Sequence, residues 1–244
     1  MKGFRVMELK LWLSFLKLSI MHVAHDVQAI DWSVDIPSTI PAVEGSCLVI
    51  PCMYTYPSNR FKTSLPPLSG YWKKGKKIIS SNLPLKLDKE YDQRTKLLGD
   101  LKSLNCTMLM SDVRATDIGP FHFRIVIPGF NQFSFINNRV SINVTRIPDP
   151  PSLTVMVGKK VSASCSVIHS CPTMPPQLTW NHAGAIKRRL KKLDQWKWET
   201  VTTLIFRPSA SDFKKPLNCT VIYSGGKRAM SSTILKRLKK NWKA

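Results

Sequence analysis

The chain has 244 residues, 43% of them hydrophobic, with 17 prolines and a formal net charge of +22. That length and apolar content fit two cores of roughly 100 residues each and exclude a disordered chain. The charge is uneven, with 19 Lys/Arg against 12 Asp/Glu in residues 1–150 and 18 against 3 in residues 151–244, a field that favours anionic partners without choosing among glycans, nucleic acid and membranes.

The chain opens on "MKGFRVMELKLWLSFLKLSIMHVAHDVQAIDW". Basic residues precede an apolar stretch from Leu11 to Ala24, and Val27 and Ala29 offer small residues for cleavage. The pattern predicts a signal peptide over residues 1–29, although Lys17 interrupts it; the alternative is a short amphipathic helix. Asn105-Cys-Thr, Asn143-Val-Thr and Asn218-Cys-Thr are N-glycosylation acceptors, and six cysteines form an even set, both in keeping with secretion. No later segment offers about 20 consecutive apolar residues. The expectation is therefore a secreted protein, or the extracellular side of the plasma membrane if an anchor follows the basic tail, residues 236–244.

Short strand-like runs follow, separated by Pro, Gly, Asn and Asp clusters. In the first half they are "CLVIPC", "GYWKK", "CTMLM", "FHFRIVI" and "VSINVT". After the proline-rich join "RIPDPPSL" come "KVSASCSV", "QLTWNH", "TVTTLIF", "LNCTVIY" and "SSTIL". That is an all-β pattern of two sandwiches in series, over residues 30–146 and 147–235.

Cys165, Trp180 and Cys219 give the Cys…Trp…Cys order of an immunoglobulin domain, predicted as C2-type. In the first half Cys52 and Trp72 obey the same rule. "DIGPFHFR" resembles the start of the sixth strand, F, of a variable-type domain, with Phe121 at the corner tyrosine position. Arg94 and Asp117 suit the ion pair that closes such a domain, and the stretch from Trp72 to Arg94 has room for an extra strand. The departure is Phe123, which stands where the second core cysteine belongs.

Six cysteines allow fifteen pairings, and the fold prunes them. Cys165 and Cys219 join strands B and F of the second domain. Cys52 on strand B lacks its F-strand partner, which leaves Cys106 on the neighbouring strand E, within one sheet. Cys47 and Cys171 remain, at facing ends of the two domains, and their bridge would clamp one to the other.

These pairings, with "DWSVDIPSTIPAVEGSCLVIPC", "RTKLLGDLKSLNCTMLM", "GPFHFR", "GFNQFSF" and "HSCPTMPPQLTW", resemble the sialic-acid-binding immunoglobulin-like lectins, the Siglecs, over nearly all of residues 30–235. The resemblance implies a V-set domain in which an intrasheet bridge lets the two sheets spread, opening a shallow site along strands A, F and G. Strand alternation turns Phe121, Phe123, Ile125 and Ile127 toward the core and His122, Arg124 and Val126 outward. Arg124 then matches the family arginine that pairs with the sialic acid carboxylate. Trp32 matches the ring that meets the N-acetyl methyl group. Phe130 and Phe133 fall where the family places aromatic contacts under the glycerol tail, and Asn131, Gln132 and Ser134 offer hydrogen bonds at the edge of strand G. The bland readings are a solvated arginine, a tryptophan packed under the first strand, and core packing for whichever of Phe133 and Phe135 faces inward.

The lysine runs "YWKKGKK" and "IKRRLKKLDQWKW" read as solvated faces or loops; Trp196 and Trp198, interleaved with lysines, leave an anion-binding patch open, and no nucleic-acid motif accompanies them. Five histidines show no zinc spacing, and there is no phosphate loop, no Gly-x-Ser-x-Gly and no cysteine left for catalysis. The sequence thus predicts a binding protein without cofactor or metal and not an enzyme. Its expected partners are sialylated glycans, with no nucleic acid and no membrane contact except through an anchor. A protein-binding receptor and an electrostatic binder of sulfated glycans are the competing readings.

Overall fold

The computed structural model describes residues 31–57 and 67–236. The expected signal peptide and nearly all of the basic tail lie outside them. The described residues are all-β apart from two single-turn 3-10 helices, and form two sandwiches.

The first sandwich holds β1 (Ser33–Asp35), β2 (Thr39–Val43), β3 (Leu48–Ile50), β4 (Met53–Thr55), β5 (Ser69–Lys74), β6 (Lys77–Ser81), β7 (Thr95–Leu97), β8 (Met108–Met110), β9 (His122–Ile127), β10 (Asn131–Ser134) and β11 (Ser141–Thr145). One sheet runs β10-β9-β5-β6; the other is built of β3-β8-β7 with β1 paired to β4. Strand β11 returns parallel to β2. Within the run "CLVIPC" only β3 is strand, because Pro51 has no N–H for the ladder; β4 begins after Cys52. The extra strand expected after Trp72 is β6, the second arm of a hairpin whose turn contains Gly75 at φ +58°.

Cys52 and Cys106 are bridged within one sheet, and the Cys106 N–H donates to the Cys52 carbonyl at 2.9 Å. Trp72 lies fully buried, and its indole N–H donates to the Cys106 carbonyl at 2.8 Å. Phe123 fills the core where a bridge to the opposite sheet would have run, with ring centroids 5.5 Å from Tyr54 and 6.0 Å from Trp72. The ring has room because β5 carries Gly70 there: a Cβ on Gly70 would lie 3.0 Å from the Phe123 ring and 2.9 Å from Leu101. Arg94 and Asp117 form the expected ion pair at 2.8 Å, both side chains buried.

The second sandwich holds β12 (Ser152–Val157), β13 (Val161–His169), β14 (Gln177–Trp180), β15 (Ala185–Lys192), β16 (Trp198–Phe206), β17 (Pro216–Ile222) and β18 (Arg228–Ile234). Its sheets are β12-β13-β16-β15 and β14-β17-β18, tied across by Cys165–Cys219. Of the two readings of the run "IKRRLKK", a solvated face or a loop, the structure shows the first: the run lies in β15, a fully exposed edge strand whose charges hide the period-2 pattern. The other lysine run, "YWKKGKK", is the β5–β6 hairpin; Lys77 pairs with Asp88 and Glu90, and Lys74 donates to the Tyr91 hydroxyl.

Cys47 and Cys171 are bonded across the two sandwiches. Around that bridge the Val49 N–H donates to the Ser170 carbonyl at 2.9 Å, the Ser170 hydroxyl donates to the Pro41 carbonyl at 3.0 Å, and Lys227 pairs with Glu44 at 3.0 Å. Gly45 and Gly225 meet so closely that a Cβ on Gly225 would lie 2.6 Å from the Gly45 backbone. The tip of the β15–β16 hairpin also reaches the first sandwich: Gln195 donates to Asp35 at 2.7 Å, and Trp196 packs against the first core. Trp196 is therefore half-buried at the domain junction, with the Lys197 ammonium 5.3 Å from its ring centroid.

Candidate functional site

Strand β9 is aromatic and β-branched at alternate positions, which suits a half-buried strand. Phe121, Phe123, Ile125 and Ile127 are buried, as the alternation predicts. Arg124 and Val126 reach the outer face half-buried. His122 shares that face but, contrary to its expected exposure, is covered at 8%. Burial pushes its imidazole below the ordinary range, and the charges of Lys73, Arg139 and Arg124 push it the same way. Lys73, Arg139 and Arg124 thus all lie near His122.

After β9 the chain reverses through Pro128-Gly129. Proline fixes the first central φ, and Gly129 supplies the second at +73°. The Phe130 N–H closes this turn on the Ile127 carbonyl at 3.1 Å. Strand β10 then pairs with β9 in the register Gln132 to Val126, Phe133 to Ile125 and Ser134 to Arg124. Opposed residues share a face, so Gln132 and Ser134 join Arg124 outside, while Phe133 stands with Ile125 inside. The Arg124 guanidinium donates to the Ser134 hydroxyl at 2.7 Å and to the Gln132 side-chain carbonyl at 2.5 Å. Both acceptors are neutral. Among the described residues Arg124 has no carboxylate partner.

β10 is the edge of its sheet. The Phe135 N–H donates to the Phe123 carbonyl at 3.0 Å, so ladder bonds alternate through Phe133 and Asn131. The backbones of Gln132 and Ser134 accordingly face the open edge. Asn131 caps the Gln132 N–H at 2.8 Å, and the Ser134 carbonyl accepts from the Ile136 N–H at 2.8 Å. The Gln132 carbonyl and the Ser134 N–H are the groups presented there.

The aromatic residues assemble on the other side of β10. Trp32 stacks on Phe133 with ring centroids 5.1 Å apart and planes inclined by 10°, and on Phe130 at 6.2 Å. Tyr56, at 6.1 Å from Trp32 and just after β4, backs the group; its spacing of two from Tyr54 is the available sequence signal. Both Phe133 and Phe135 turn to the inner side. Phe135 is buried, but the sandwich runs out at Phe133, which remains 38% exposed. The candidate residues thus form two sets, a polar one (Arg124, Gln132, Ser134) and an aromatic one (Trp32, Phe130, Phe133), on opposite sides of one edge strand. A small ligand laid over that edge meets a cation, backbone donors and acceptors, and ring faces.

Of the glycosylation acceptors, Asn143 is exposed, whereas Asn105 and Asn218 are half-buried. The Asn105 side-chain carbonyl accepts from the Thr107 N–H, and that of Asn218 is enclosed with no hydrogen-bond partner among the described residues. Among the described residues no group of three His, Cys, Asp or Glu side chains is placed to hold a metal, and no helix is long and apolar enough to cross a membrane.

The chain matches no family profile. It is 32% identical over 199 residues to human myelin-associated glycoprotein, covering 77% of this chain and 31% of that protein. It is 27% identical over 219 residues to the mouse myeloid cell surface antigen CD33, covering 85% of this chain and 52% of that one. It is 29% identical over 210 residues to human sialic acid-binding Ig-like lectin 9, covering 81% and 44%. The chain thus spans about a third to a half of the length of these relatives. With this likeness, two immunoglobulin sandwiches and an intrasheet Cys52–Cys106 bridge, the chain belongs to the family of sialic-acid-binding immunoglobulin-like lectins.

Proposed function

We propose that the first sandwich binds terminal sialic acid on glycoproteins or glycolipids and serves cell adhesion or recognition at the extracellular surface. The observation that carries this reading is the Arg124 guanidinium, fixed mid-strand by two neutral acceptors with no carboxylate of its own. A guanidinium accepts a carboxylate as a planar two-bond fork, and sialic acid supplies that group on an otherwise uncharged ring. Lys73 and Arg139 add to the positive field. The edge groups of Gln132 and Ser134 suit the amide and hydroxyls of the sugar, and the exposed ring of Phe133 with the half-buried rings of Trp32 and Phe130 suits its methyl and glycerol carbons.

One charge-assisted contact contributes roughly 1.5–3 kcal/mol, and a millimolar dissociation constant corresponds to about 4 kcal/mol. A single site of this kind binds weakly and gains by clustering on a cell. The test compares the protein with Arg124→Ala and Arg124→Lys on untreated and sialidase-treated cells. Both variants should lose binding while melting normally. Near-normal binding by Arg124→Lys, or binding that survives sialidase, would leave a protein-binding receptor as the better reading.

A further inference from the structure

The sialic-acid reading leaves the most strongly charged element of the molecule without a task. Strand β15 carries five cations in the six positions from Lys187 to Lys192, and all of its residues are exposed. Edge strands often carry charged side chains, lysine above all, to prevent pairing with another chain. Among the described residues none of these five forms an ion pair. Packing five like charges on one short strand raises its self-repulsion, which an anionic partner would relieve.

The register sorts these cations by face. Arg188 lies opposite Thr202, which is buried, so Arg188 and Lys192 belong to the inner side. There β15 overhangs a cleft of about 1020 Å³, lined in part by Arg188, Leu190 and Tyr223. Lys187, Arg189 and Lys191 form a row on the outer side, with neighbours about 6.8 Å apart along the strand. The rows that continue from them across the sheet are mostly short and polar. Lys187 is followed by Thr203, Ser164 and Thr154, and Arg189 by Val201, Ser166 and Ser152. Glu199, opposite Lys191, is the one carboxylate in these rows.

We infer that this outer face is a second anion site, which binds a sulfated linear polysaccharide. The cation row would take sulfate and carboxylate groups, and the serine and threonine hydroxyls beside it would take the sugar hydroxyls. Nucleic acid fits less well. Single strands are held by stacking bases on exposed aromatic rings, and the two tryptophans near this strand are otherwise placed. Trp196 packs against the first core, and Trp198 stands opposite Lys192 on the inner side. Three disulfides also put the chain in an oxidising, extracellular setting, where sulfated polysaccharides are an abundant polyanion. The inference does not depend on Arg124.

The test is retention of the full chain on immobilised heparin across a salt gradient. A triple variant, Lys187→Glu with Arg189→Glu and Lys191→Glu, should elute at much lower salt and bind at least tenfold more weakly at physiological ionic strength. The neutral set Lys187→Gln, Arg189→Gln and Lys191→Gln should fall between it and the parent, and serves if the reversals impair folding. An equal charge change at Lys159, Lys160 and Lys214 is the control. If that control weakens retention as much as the β15 variant, net charge alone is responsible and the site does not exist. Unchanged retention on desulfated heparin, or displacement by a single-stranded DNA oligomer as efficient as by heparin, would overturn the polysaccharide assignment. Sialidase-sensitive cell binding should be unchanged in the triple variant.

Discussion

Arg124 and Ser134 stand directly opposite each other on β9 and β10, and the guanidinium donates to the serine hydroxyl at 2.7 Å. A long side chain on a strand face normally loses rotamer entropy when it binds a ligand. Here Ser134 and Gln132 hold the guanidinium in place in advance. Ser134→Ala and Gln132→Ala should each leave the fold intact and weaken sialoside binding. A net hydrogen bond contributes roughly 0.5–1.5 kcal/mol, or about two- to twelvefold in affinity. Titration by NMR would read this directly. Unaltered affinity in the double variant would mean that the two acceptors compete with the ligand as much as they orient the arginine.

Gly70 is tied to the missing cysteine. The Phe123 ring replaces a much smaller bridge, and it fits because β5 has no side chain at Gly70. Gly70→Ala should overpack the core against Phe123 and Leu101, at a cost of roughly 1–3 kcal/mol. Denaturant unfolding checks the loss. Reducing the ring with Phe123→Leu in the same chain should restore part of the loss at Gly70, because the two sites share one volume.

How far this was legible in the sequence depends on range. The inward and outward sorting of β9 follows from a period of two and survives in the structure for Phe121 through Ile127. The shielding of His122 was not legible, since it depends on neighbouring strands and not on β9. Gly70 lies more than fifty residues from Phe123, and no local pattern couples them. The stacking of Trp32 on Phe133 likewise needs the segment just before β1 brought to the tenth strand. The strand character of β15 was not legible for a different reason: five cations mask the alternation by which a strand is recognised, and only pairing with β16 defines it.

The Cys47–Cys171 bridge joins two sandwiches that also share backbone and side-chain hydrogen bonds, a Lys227–Glu44 pair and the packing of Trp196. A disulfide contributes roughly 2–4 kcal/mol, chiefly by restricting the unfolded chain. Cys47→Ser with Cys171→Ser should therefore lower the melting midpoint by several degrees. The remaining contacts should keep the domains docked, so small-angle scattering should show an unchanged radius of gyration. Removing Trp196 as well, with Trp196→Ala, should let the domains part and increase it. An increase already in the serine double variant would show that the bridge alone sets the angle.

His169 lies beside the interdomain bridge and is 7% exposed. Its Nδ1 accepts from the Cys171 N–H at 3.2 Å, and its Nε2 is 2.8 Å from the Thr200 hydroxyl. Burial pushes the imidazole down to about 4. An unfolded histidine titrates near 6.5, so between about pH 6.5 and 4 the unfolded chain binds a proton that the folded chain refuses. Stability must then fall as the pH drops through that window, by up to about 3 kcal/mol, and histidine adds no further loss below it. His122, shifted in the same direction, adds to the slope. Asp88 and Asp212, held below the usual carboxylate range by hydrogen bonds, lose their contribution at still lower pH. His169→Gln retains an acceptor for the Cys171 N–H but has no proton to take up. Urea unfolding of both proteins from pH 7 to 4 should give a markedly flatter profile for the variant. Parallel profiles would show that His169 charges within the folded protein and that the acid sensitivity of the junction arises elsewhere.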